Sequence, residues 1–71
     1  MNVKKTILNI ISEAGDKGIQ LDKIVDKINA LFPNKYYSDD FIIDYLKKQE
    51  KVELFFVPLN NRTHFAYKIK E

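Results

Sequence analysis

The stretch that decides the fold is Lys51-Val52-Glu53-Leu54-Phe55-Phe56-Val57, then Pro58-Leu59-Asn60-Asn61-Arg62-Thr63, then His64-Phe65-Ala66-Tyr67-Lys68-Ile69. Two runs rich in β-branched and aromatic residues flank a polar loop, the pattern of strand, turn and strand. Val52, Leu54 and Phe56 on the first run and Phe65, Tyr67 and Ile69 on the second alternate as a sheet with one buried face, with Glu53 and Lys68 on the other. Phe55 and Val57 depart from the alternation, and Phe55 is expected to be an exposed apolar side chain. A two-stranded ribbon is marginal by itself in water, so its apolar face must lie on the rest of the chain.

Everything upstream reads as helix. Val3, Ile7, Leu8, Ile10, Ile11 and Ala14 repeat at helical spacing, and Gly15-Asp16-Lys17-Gly18 ends that helix with the chain's only two glycines. Ile19-Gln20 has room for one extended bridge, a short third strand. Leu21, Ile24, Val25, Ile28, Leu31 and Phe32 then mark a second helix, which begins at Gln20 without a good capping side chain and stops at Pro33. After the connector Pro33 to Ser38, Ser38 is the N-cap of a third helix running to about Glu50. Asp39 and Asp40 in its first turn complement the helix dipole. Phe41, Ile42, Tyr45, Leu46 and Gln49 share its inner face, whereas Ile43 falls among charges, either against the connector tyrosines or as an exposed handle.

Seventy-one residues with 45% apolar and 31% charged side chains make one folded domain, residues 1–71, near the lower size limit for a core without staples. Cysteine is absent, so a disulfide framework or a thiol nucleophile is excluded. His64 is the sole histidine, which argues against a metal site, and no cofactor motif is present. There is no Ser-His-Asp arrangement or phosphate-cradling glycine loop, so the expectation is a protein that is not an enzyme. Without an apolar run of membrane length or a signal sequence, the chain is expected to be soluble and cytoplasmic. The net charge is +2, and its distribution is uneven: residues 36–51 carry three lysines against four acids.

The order helix, Gly-x-x-Gly turn with a short bridge, helix, connector, helix, hairpin resembles the winged helix-turn-helix superfamily over nearly all of the chain. The residues that carry the resemblance are Gly15 to Leu21 leading into the second helix, Leu46 to Val52 leaving the third, and the loop Asn60-Asn61-Arg62. It implies an α+β fold, a three-helix bundle with a C-terminal two-stranded β-hairpin wing. It further implies double-stranded DNA as partner and a role as a transcriptional or accessory regulator, the third helix lying in the major groove. Carried over position by position, the DNA contacts would be Tyr36, Tyr37, Ser38, Lys47, Lys48 and Lys51 around that helix, with Lys35 on phosphate. The wing would offer Asn60, Asn61, Arg62, Thr63 and His64, Arg62 being suited to the narrow minor groove.

An alternative reading comes from the residues themselves. The third helix bears Asp39, Asp40 and Asp44 and no arginine, which a polyanion repels. Ile43, Phe55 and Leu59 together with Asp39 and Asp40 would then form a patch for another protein or for a second copy of the chain. RNA binding through Tyr36, Tyr37 and Phe55 is a third reading.

Overall fold

The computed structural model describes residues 2–70, and among them the fold is α+β, with three helices and a three-stranded antiparallel sheet. Helix α1 spans Val3–Ala14. Its cap is Asn2, whose Oδ1 accepts from the Lys4 N–H at 2.9 Å and the Lys5 N–H at 3.4 Å, satisfying two amides that a helix start leaves open. A 3-10 turn at Gly15–Lys17 leads to strand β1, Ile19–Gln20, and then to helix α2, Leu21–Leu31. Gln20 precedes α2 without making a side-chain cap bond. Helix α3 covers Asp39–Lys47, and the Ser38 hydroxyl accepts from the Phe41 N–H at 3.2 Å.

Periodic isoleucines from all three helices meet in the centre. Ile7, Ile11, Ile24, Ile28 and Ile42 are fully buried, joined by Leu46, Val52 and Tyr67. Such burial contributes roughly 1.5–3 kcal/mol per large apolar side chain, which is why so small a chain spends its β-branched residues there.

α3 is shorter than its periodicity predicts. It ends at Lys47, and the chain tightens through Lys48 N–H to the Tyr45 carbonyl (3.2 Å) and Gln49 N–H to the Leu46 carbonyl (3.1 Å). These i→i−3 bonds turn the backbone within four residues, so that strand β2, Val52–Leu59, can start directly opposite Ile69.

Strand β3, Arg62–Ile69, is the middle strand, in the order β1-β3-β2. It pairs with β1 through Ile19–Tyr67 and Gln20–Ala66. With β2 it forms an unbroken ladder from Val52–Ile69 to Leu59–Arg62. The six-residue polar loop expected at Pro58 to Thr63 is a correction: only Asn60 and Asn61 lie outside the ladder, with φ of 53° and 64°. Two successive left-handed residues make the type I′ turn whose twist matches the strands, and asparagine tolerates that conformation best after glycine.

Two expectations about the ribbon's faces are overturned. Val52 and Tyr67 are buried and Ile69 half-buried, but Leu54, Phe56 and Phe65 on the same face are 45%, 57% and 39% exposed. Two strands of eight residues extend about 27 Å, which carries Phe56 and Phe65 beyond the helical body, whereas Leu54, level with buried Tyr67 in the register, is exposed because it stands on the edge strand. Phe55, expected outside, is half-buried. A Cβ placed on Gly18 would come within 2.6 Å of the Phe55 ring and 2.8 Å of the Tyr67 carbonyl oxygen, so the ring fills the space that this glycine leaves.

Candidate nucleic-acid interface

The sharp turn at Asn60-Asn61 sets the ribbon's tip free, and Asn60, Asn61, Arg62 and Thr63 are all exposed. Because Arg62 and Thr63 are strand residues, they part company: Arg62 shares a face with His64 and Lys68, and Thr63 lies on the opposite face with Phe65. Lys68 is taken up by Glu53, its cross-strand partner, at 3.3 Å, and stands 5.5 Å from the centre of the Phe55 ring. Arg62 is without a carboxylate partner among the described residues.

Between α3 and the ribbon runs a groove of about 560 Å³. Its floor is apolar, from Ile43, Leu46, Leu54, Phe65 and Tyr67, and its rim carries Lys47, Lys48 and Lys70 with one acid, Glu50. Ile43 is therefore half-buried in this groove rather than standing out as a handle. Along α3, Asp39 and Asp40 sit in the first turn, away from the groove, the lysines sit at the end that faces the ribbon, and Asp44 lies between them, exposed and sharing a surface depression with Lys48. Lys51 is exposed in the turn that leads into β2.

The connector residues belong to a different part of the surface. Neither Lys35, Tyr36 nor Tyr37 lines the groove. Tyr37 is half-buried, with its ring 6.1 Å from Phe32 and 5.1 Å from Phe41, centre to centre. Its backbone is clamped by Asn29, which accepts from the Tyr37 N–H at 2.8 Å and donates to the Tyr37 carbonyl at 2.9 Å. Asn29 also donates to the Val25 carbonyl at 3.0 Å. The ring of Tyr37 thus packs as a lid on the helices, and Ser38 spends its hydroxyl on the α3 cap. Tyr36, at 77% exposure, is the freest aromatic of the connector, and Lys35 lies 5.6 Å from the centre of the Tyr37 ring.

Among the described residues, no group of three or more His, Cys, Asp or Glu side chains is disposed to hold a metal ion. No described helix is long and apolar enough to cross a membrane. Burial raises the hydroxyl pKa of Tyr67, which lines the groove, and of Tyr45 on α3.

Three features went unread in the sequence. Lys70 reaches the groove rim, which the register of the strands alone specifies. Asn29 acts as the connector's clamp, and nothing in a helical repeat distinguishes it from a solvated residue. The exposed set Leu54, Phe56 and Phe65 carries the same alternation as the buried base, and what separates the two is the strand order and the reach of the helices. Comparison with protein-family models, with curated proteins and with solved structures gave no match.

Proposed function

We propose that the protein is a small winged-helix DNA-binding protein, a transcriptional or accessory regulator that grips duplex DNA with the C-terminal end of α3 and the ribbon as its wing. The observation that carries this reading is the meeting of Lys47, Lys48 and Lys70 on the rim of one groove beside a ribbon whose free tip bears Arg62. Lysine is a point charge suited to phosphate oxygens, and arginine to the electronegative minor groove. The acids at the start of α3 would be turned away from the phosphates, so the wing and the helix end would lead rather than the helix N-terminus. Tyr36 and Lys35 would add contacts only to a duplex long enough to pass the connector.

Titration of random-sequence duplex at low and moderate salt tests it. If four cations engage phosphates, log K falls with log salt at a slope of about −3.6. Arg62→Ala and the pair Lys47→Ala, Lys48→Ala each reduce that slope. Absence of salt-dependent binding at micromolar protein would exclude the reading.

A protein-contact module is the second reading, favoured by one observation: Leu54, Phe56 and Phe65 are large apolar side chains exposed together on one face of the ribbon. The patch differs from the one expected, because Phe55 is packed over Gly18 and Ile43 lies in the groove.

A further inference from the structure

In the order β1-β3-β2, β3 has a strand on each side, while among the described residues β2 has one edge with no strand beside it. The register decides what that edge offers. Leu59 and Arg62 close the two-residue turn, and at the other end the Lys70 N–H donates to the Lys51 carbonyl at 2.7 Å. Odd-numbered residues of β2 therefore point their backbone groups at β3, and even-numbered ones point theirs outward. Among the outward residues, the Val52 N–H donates to the Gln49 carbonyl at 3.2 Å, and Pro58 has no N–H. What remains is a pair of donors, the N–H groups of Leu54 and Phe56, with carbonyls to match.

This edge lacks the usual guards. Val52 to Leu59 contains no lysine or arginine, one acid (Glu53), and no bulge, with a proline only near its end. The two residues with outward donors also carry exposed apolar side chains.

We propose that β2 of one copy pairs antiparallel with β2 of a second copy about a two-fold axis at Phe55, joining the two sheets into one of six strands. In this register Leu54 faces the partner's Phe56 and Phe56 the partner's Leu54, and each of these pairs exchanges both backbone bonds. Moving the axis to Leu54 or Phe56 sets a free donor against Val52 or Pro58, neither of which can return a bond. Glu53 falls opposite the partner's Val57, so no like charges oppose each other along the strand. An antiparallel edge is self-complementary under a two-fold axis, which makes a second copy the natural occupant.

The exposed parts of Leu54 and Phe56, the side chains beside the seam, amount to roughly 190 Å² per copy, about a quarter of the ~800 Å² per partner in a standard interface. The strand backbone and the α3 groove add to it: the partner's Phe56, opposite Leu54 and on the groove's face, would meet the groove lining beside Leu54. None of this depends on DNA binding.

Light scattering behind size exclusion, at concentrations above about 100 μM, reads the mass directly; such interfaces reach micromolar affinity or better. The expected mass is twice the 8.4 kDa of the chain. Leu54→Pro removes an outward donor without touching the β2–β3 ladder, and Phe56→Lys places a charge on the edge; both are expected to be monomers with unchanged far-UV circular dichroism. Glu53→Cys with Val57→Cys in one chain is expected to oxidise to a covalent dimer, because those positions face each other only with the axis at Phe55. A monomeric wild type, a dimer that survives Phe56→Lys, or failure of the double-cysteine chain to cross-link overturns the proposal. Should Leu54→Pro not fold, the other two variants decide.

Discussion

The base and the outer half of the ribbon obey one alternation and meet opposite fates. Val52 and Tyr67 at the base are 7% and 4% exposed, whereas Leu54, Phe56 and Phe65, in step with them on the same face, stand at 39–57%. Period two tells a side chain which face it takes; what covers that face depends on how far the helices extend beneath it and on whether the strand is central, as for Tyr67, or at the edge, as for Leu54 opposite it. The outer half is thus an apolar surface attached to a folded body. At 5.5 Å and 72°, the Phe56 and Phe65 rings meet edge-on across the strands, so the exposed half has an order of its own.

Substitutions can break this contrast, and the largest effect belongs to the body. Ile28→Ala, at a fully buried site where three helices converge, is expected to cost about 2–5 kcal/mol in urea unfolding. Gly18→Ala follows at about 2–4 kcal/mol, since it adds a left-handed backbone penalty at φ 71° to a clash with Phe55 and the Tyr67 carbonyl. Pairing it with Phe55→Ala should recover the steric part and leave the backbone part, which separates the two causes in a double-mutant cycle.

Asn29→Ala should cost about 1–3 kcal/mol, because it strips both backbone groups of Tyr37 of their partner and loosens the connector against α2. The same change should raise amide exchange from Tyr36 to Phe41 more than in the ribbon. A smaller effect is alkaline. The Tyr67 hydroxyl is raised above its ordinary value by burial, so the neutral form stabilises the fold fully below the unfolded pKa of about 10. That contribution is lost as pH rises through the folded value, and Tyr67→Phe should flatten the stability profile above pH ~10. Least of all, Phe56→Ser measured where the monomer prevails should shift stability within about 0.5 kcal/mol. A loss near that of Ile28→Ala would mean that the outer half is core after all.

Much of the candidate interface was legible in the residues. Ser38 caps α3, the asparagine pair makes the tip, and Lys47 and Lys48 end a helix beside the ribbon, each fixed by chemistry within a few residues. Tyr37 was harder: a connector tyrosine can turn either way, and only the Asn29 clamp with Phe32 and Phe41 alongside draws it inward. The third helix was read three residues too long because its inner face continues to Gln49, while the tight turn into β2 is imposed by the partner strand.

By itself the sequence determined three amphipathic helices, their isoleucine core, the breaks at the glycines and Pro33, and a ribbon turned at Asn60-Asn61. Those features follow from backbone preference and periodicity, which act over a turn of helix or a pair of strand residues. Only the tertiary structure decided that Phe55 goes in, that Phe56 stays out, that Ile43 and Lys70 share a groove, and that β2 is left with an open edge. Burial and edge exposure depend on the lengths and placement of elements far apart in the chain, quantities that no local pattern encodes.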